Sequence, residues 1–231
     1  MGPDTTQALF SAFIVVATML LVGFPVHEAL HAWTAMKLGD NTARWMGRVT
    51  LDPRAHFDQF GALVLGVTAV FSAMGGGILF GWAKPTPVNP VNLRNGRQGH
   101  ALVAFAGPAS NLVVAILAAI PFRILRTNPE WWNAALDNPL TELLLDAGWL
   151  LLSLNILLFL FNLVPIPPLD GWSVLKGIVP WTAARQMTEL EIRYANVIPM
   201  LFFGFIIIIF LTGGSFLGPF ISSIRSILVG F

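Results

Sequence analysis

Two of the four histidines in this chain stand four residues apart, in the run Phe24-Pro25-Val26-His27-Glu28-Ala29-Leu30-His31. On a helix, residues i and i+4 share a face, so His27 and His31 can present ring nitrogens to one metal ion. Glu28 follows the first of these ligands and can reach the position left open on such a metal, where a water binds. The chain has no cysteine. Disulfides and thiolate ligands are therefore excluded, and any metal must be held by His, Asp or Glu. The pattern also lies inside an apolar run. Two imidazoles and a carboxylate there are costly unless they are used.

A catalytic zinc commonly takes three protein ligands and keeps a fourth position open. Acidic residues in or beside apolar runs are few: Glu28, Glu142, Asp146 and Asp170. Asp170 is the best placed, at the exit end of its apolar run as the histidines are at the exit end of theirs. An isolated Asp-Gly usually marks a turn. Here the charges favour a ligand, because Zn²⁺ with Asp170 and Glu28 ionised sums to zero, which suits a low-dielectric site.

The elements that must position these residues are membrane helices. Of 231 residues, 55% are apolar and 11% are charged, and the mean hydropathy is +0.72. A soluble domain carries about twice that charge. A formal charge of +1 and the lack of a basic patch interleaved with aromatics give no footing for nucleic acid. No Lys or Arg precedes Lys37, so the first apolar run lacks the positive flank of a signal peptide and is expected to stay as a helix. The expected fold class is an all-α polytopic membrane protein, a helical transmembrane bundle with a small β-strand and re-entrant element. One transmembrane domain is expected over residues 1–231. Its histidine-bearing helix covers about 6–36, kinked at Pro25. A strand and re-entrant region covers about 45–98, with Arg48-Val49-Thr50-Leu51-Asp52-Pro53 as the strand, and a helix follows over about 99–125. After a polar loop over 126–141, a second helix covers about 142–164 and leads to Asp170. C-terminal helices fill about 172–231.

Topology follows from parity. If Asp170 meets the histidines, their two helices run in the same direction, and an odd number of crossings lies between them. The helix over 99–125 is one. Residues 60–82, although long enough to span, must then dip in and return, turning at the glycines Gly75-Gly76-Gly77. The positive-inside rule agrees. With 60–82 re-entrant, Lys37, Arg44, Arg48, Arg54, Lys84, Arg94, Arg97, Lys176, Arg185 and Arg193 fall on one side, which is ten of the 13 basic residues. The metal site then lies near the cytoplasmic surface.

Taken together, His27-Glu28-Ala29-Leu30-His31, Gly107-Pro108-Ala109-Ser110-Asn111 and Asn162-Leu163-Val164-Pro165-Ile166-Pro167-Pro168-Leu169-Asp170-Gly171 resemble the site-2 protease (M50) family of intramembrane metalloproteases. Gly81-Trp82-Ala83-Lys84-Pro85 is similar to its short bacterial or archaeal branch. The resemblance implies one zinc held by His27, His31 and Asp170, and cleavage of transmembrane segments. It also places the family's asparagine on Asn162. The chain differs in having Trp172 after the Leu-Asp-Gly, where many members have glycine.

On this reading Glu28 is the general base, and Asn162 either donates to the developing oxyanion or makes an interhelical hydrogen bond. Expected partners are the lipid bilayer and single-span or signal-peptide-like membrane proteins, with no nucleic acid. An extended edge in 48–53 or 81–90 would hold the unwound substrate as an added strand. The expected location is the plasma membrane of a prokaryote, with the active site toward the cytoplasm. Two rivals stand beside it. A metal transporter or channel has no need of Glu28, and a scaffold with a structural zinc needs a fourth protein ligand such as His56 or His100.

Overall fold

In a computed structural model, residues 5–75, 79–211 and 217–230 are described. The chain is a helical bundle, and the described residues contain no β-strand. The elements are α1 (Thr5–Thr18), a π-helical turn (Met19–Gly23), α2 (Phe24–Lys37), α3 (Thr42–Trp45), α4 (Gln59–Ala73), α5 (Gly96–Arg126), α6 (Pro129–Leu136), α7 (Pro139–Asn162), α8 (Asp170–Ile178), α9 (Trp181–Arg193), α10 (Ile198–Leu211) and α11 (Gly218–Val229).

Three helices among the described residues are long and apolar enough to cross a membrane: Leu9–Lys37, Gly96–Arg126 and Pro139–Asn162. The α9–α10 pair, bent by 94°, makes a fourth if counted as one span. Their outward faces carry exposed Phe13, Leu21, Leu117, Ile124 and Leu144, the side chains that a lipid solvent accepts at no cost.

The first crossing is continuous through α1 and α2, and its break is of a particular kind. Pro25 has no N–H, so the carbonyl four residues earlier loses its donor. The chain adjusts by widening one turn, and the Phe24 N–H donates to Met19 O, five residues back. The kink expected at Pro25 is thus a π-turn immediately before it. α5 is the central helix, packed against α2, α7 and α8. One core cluster joins Ala115, Ala119 and Phe122 of α5 to Leu152 and Ile156 of α7 and Val229 of α11. Another joins Met19 and Phe24 to Leu65 of α4 and Leu154 and Leu158 of α7.

Residues 59–84 leave and return to one place. Asp58 caps α4 by accepting from the Gly61 N–H at 2.7 Å. At about 22 Å, 15 residues of helix fall short of the roughly 30 Å hydrocarbon core. From residue 79 the chain runs back, extended, along α4. Thr68 Oγ1 donates to Phe80 O at 2.7 Å, and the Lys84 N–H reaches His56 O at 2.9 Å, beside the point of departure. Two glycines allow that approach. A Cβ on Gly61 would lie 2.1 Å from Trp82 O, and one on Gly81 would lie 2.5 Å from Leu65 Cβ. Of the glycines expected to make the turn, Gly75 has φ +88°, while Gly76 and Gly77 lie outside the described residues.

Two expected elements differ. Residues 48–52 are a bend leading into a 3-10 turn at Pro53–His56, not a strand. No neighbouring edge is there to pair with them. Instead the loop closes on its own side chains: Arg48 donates to Ala55 O, and His56 Nε2 donates to Thr50 O at 2.9 Å. The loop over 126–141 contains a helix, α6, started by Asn128, whose side chain accepts from the Glu130 N–H.

Candidate metal centre

His27 and His31 lie on the inner face of α2, each 7% exposed, one turn past the π-turn. Asp170 is the first residue of α8, where a carboxylate is favoured by the helix dipole. Its Oδ2 stands 3.1 Å from His27 Nε2 and 3.3 Å from His31 Nε2. The two Nε2 atoms are 3.0 Å apart. Among the described residues, this trio is the group of His, Asp and Glu side chains whose ligand atoms converge, all within 4.8 Å of one another. The structure thus brings the three residues expected as ligands together.

The hydrogen bonds at the far ring nitrogens suit a cation at this point. His27 Nδ1 faces Asn111 Oδ1 at 2.7 Å, and His31 Nδ1 faces Val103 O at 2.7 Å. Both partners accept, so each Nδ1 carries the proton and each Nε2 presents a lone pair. With both rings neutral, two lone pairs and a carboxylate oxygen point at one another. A divalent cation satisfies that arrangement, and ligating imidazoles are commonly fixed through their far nitrogen in this way. Two imidazole nitrogens and a carboxylate oxygen are a donor set that suits zinc.

Close approach of backbone makes the room. A Cβ on Gly107 of α5 would sit 2.3 Å from His31 Nε2 and 2.7 Å from His27 Nε2. A Cβ on Gly171 would sit 2.3 Å from Leu163 O, so the glycine after Asp170 lets α8 start against the end of α7.

The trio opens on a cleft of about 620 Å³, lined also by Glu28, Trp82, Thr86, Asn162 and Phe202. Glu28 Oε2 accepts from the Thr86 N–H at 2.7 Å, and Thr86 Oγ1 donates to Glu28 O at 3.0 Å. The extended strap over residues 79–89 thus crosses the cleft and holds Glu28. Its far end is tied to Asp40, whose carboxylate accepts from the Asn89 N–H, Asn92 Nδ2 and Thr42. Burial opposes ionisation of Asp40, but the hydrogen bonds from Thr42, Asn89 and Asn92 outweigh it and hold the carboxyl below the usual carboxylate range.

Asn162 lines the cleft, and its Nδ2 donates to Leu158 O of its own helix at 3.0 Å. His56 is elsewhere, tied to Thr50. His100 lines the cleft but is not part of the converging group. Among the described residues, three candidate ligands converge beside an open cleft and no fourth His, Asp or Glu joins them, unlike the closed set of a structural zinc.

Four contributors were missed in the sequence. Asn111 and Asn155 carried a signal, since each is an uncharged polar side chain inside an apolar run. Gly107, like Asn111, stands in a motif of the family resemblance that by itself gives it no role. Thr86 had no signal, because its role depends on where the strap passes.

Comparison with known proteins gives the family. Residues 133–209 match Peptidase family M50. A Bacillus subtilis (strain 168) protein named "Putative zinc metalloprotease YwhC" is 37% identical over 172 residues, covering 74% of this chain and 72% of that protein. "Putative zinc metalloprotease Rip2" of Mycobacterium tuberculosis (strain H37Rv) is 33% identical over 175 residues, 75% of this chain and 61% of its own length. No solved structure matches. The chain is an integral membrane protein of the metallopeptidase class. It belongs to peptidase family M50, the site-2 proteases.

Proposed function

We infer that the protein is an intramembrane zinc metalloprotease that hydrolyses peptide bonds within or near transmembrane segments of other membrane proteins. The observation that carries this reading is the convergence of His27 Nε2, His31 Nε2 and Asp170 Oδ2 beside a cleft that also presents Glu28.

Zinc bound by the three ligands supplies a Lewis acid that polarises the peptide carbonyl and acidifies a water to a pKa of about 7. Glu28 takes the proton released as water adds to the carbonyl carbon, and returns it to the amine as the C–N bond breaks. The second proton of the water passes from the new carboxyl group to the amine, so the products are a carboxylate and an ammonium. Thr86 aims the Glu28 carboxylate during this exchange. Asn162 has a second amide hydrogen beyond the one given to Leu158, and that hydrogen is the candidate donor to the oxyanion.

Single-span or signal-peptide-like membrane proteins are the substrate class. A transmembrane helix hides its carbonyls and must unwind to be cut, and the extended strap at 79–89 offers backbone groups beside the zinc ligands for such a segment to pair with. The loop at 48–53 is folded on itself and is the weaker candidate. The ten basic residues on the metal-centre side support a plasma-membrane orientation with the cleft toward the cytoplasm. Transport is disfavoured, because a transport pathway gives no reason for a carboxylate held by a backbone N–H next to the first ligand.

The test is incubation of the purified chain with a panel of single-span substrates, beside Glu28→Gln and with or without chelator. The expected outcome is cleavage by wild type alone. Glu28→Gln keeps its zinc and loses a hundredfold or more in rate, on the order of a general base's contribution. Normal cleavage by Glu28→Gln overturns the mechanism.

A further inference from the structure

We propose that Asn155, on α7, is a positioning residue for the metal centre, acting through Asn111 on His27; the proposal rests on the zinc reading above. Asn155 is fully buried in the middle of a membrane-spanning helix, between Leu154 and Ile156, which are also buried. A leucine would fill that position without the cost of desolvating an amide. Something must make the amide worth keeping, and its contacts show what.

Asn155 Nδ2 donates to Leu151 O at 2.8 Å within its own helix. Its Oδ1 accepts from Asn111 Nδ2 at 2.9 Å. The other hydrogen of Asn111 Nδ2 goes to Gly23 O at 3.1 Å. Asn111 Oδ1 is left facing His27 Nδ1 at 2.7 Å. A primary amide has two donors and one acceptor oxygen. If Asn111 turned over, its oxygen would face two other oxygens, Gly23 O and Asn155 Oδ1, across about 3 Å with no hydrogen between them. The orientation is therefore fixed twice. With Asn111 fixed, His27 must carry its proton on Nδ1 and turn the Nε2 lone pair to the metal.

The two ligating histidines differ here. His31 is held by the carbonyl of Val103, part of a helix backbone that cannot flip. His27 depends on a side-chain amide, which can. Asn155, together with Gly23 O, removes that freedom. It also ties three elements to one point: the π-turn through Gly23, α5 through Asn111, and α7 through itself.

The experiment measures zinc dissociation constants of the full-length chain in detergent, by competition with a chelator of known affinity. Hydrogen-bond partners of metal ligands typically contribute about 10- to 100-fold, and Asn155 is one step further out, so Asn155→Leu should weaken zinc binding by about tenfold. In an Asn111→Leu background the same substitution should change it by less than about twofold, because the intermediary is already gone. Asn155→Asp keeps the oxygen that Asn111 donates to, and should bind zinc more tightly than Asn155→Leu. A packing role alone predicts the reverse order. Asn155→Ala, which removes the acceptor without adding volume, gives the same comparison should the leucine not be accommodated. Independent addition of the Asn111 and Asn155 effects overturns the relay, as does wild-type affinity in Asn155→Leu. A wild-type chain that takes up no zinc overturns instead the reading on which the relay rests.

Discussion

Gly107→Ala places one methyl group where the metal ligands converge, and its consequence can be worked from distances. The added Cβ would be 2.3 Å from His31 Nε2, 2.5 Å from His31 Cε1 and 2.7 Å from His27 Nε2. That is roughly 1 Å inside the usual contact distance. The ends of flexible side chains often yield to such a clash cheaply. These rings do not, because each is tethered at Nδ1 by a 2.7 Å hydrogen bond, to Val103 O and to Asn111 Oδ1. Swinging them aside breaks those bonds, at about 1 kcal/mol each, while alanine in place of glycine returns roughly 0.5–1 kcal/mol of helix preference. The zinc-free fold should therefore lose only about 1 kcal/mol. The metal loses more. Apparent zinc binding of about 10–16 kcal/mol spread over four ligands gives about 2.5–4 kcal/mol for a displaced one. Affinity should fall roughly a hundredfold to a thousandfold. Chelator competition measures the affinity, and thermal unfolding of the zinc-free protein checks the fold. Zinc affinity within about threefold of wild type would show that the rings do not converge at Gly107 as described.

Three other outcomes are expected. Metal analysis of His31→Ala and of Asp170→Ala should show near-complete loss of the one zinc per chain, and full occupancy with normal activity in Asp170→Ala would remove Asp170 from the site. Single cysteines placed at the exposed Leu51, Val91 and Asn133 of this cysteine-free chain should label in sealed vesicles from the same side at 51 and 91 and from the other at 133; opposite-side labelling at 51 and 91 would contradict the return of residues 79–84 along α4. Asp40, with its folded pKa held below the unfolded value of about 3.9, contributes stability at neutral pH that is lost as pH falls through the folded pKa. Asp40→Asn should therefore unfold at a lower temperature than wild type at pH 7, with the gap closing toward pH 3, and a gap independent of pH would rule out the ionised carboxylate as its source.

The sequence alone determined the chemistry and the parity of this protein. His27 and His31 had to share a face because helical spacing is local, and the lack of cysteine restricted the third ligand to a handful of acidic residues. Asp170 could be picked from these because a ligand must leave its helix on the same side of the membrane as the histidines, which also required residues 60–82 to turn back. Membrane helices are legible in this way because apolar runs and basic flanks are fixed by the solvent, one segment at a time. The tertiary structure decided whatever depends on what lies opposite. The segment at 48–53 has strand-like composition but no edge to pair with, so it folds onto Arg48 and His56. Gly23 O, at the end of the π-turn before Pro25, accepts from an amide on α5, and nothing in the spacing of the two announces that contact. Thr86 reaches Glu28 only because the strap crosses the cleft. Gly107, Asn111 and Asn155 become parts of the metal centre only when α2, α5 and α7 pack together, since hydrogen bonds and steric clashes between distant residues act over about 3 Å and are settled by packing rather than by sequence order.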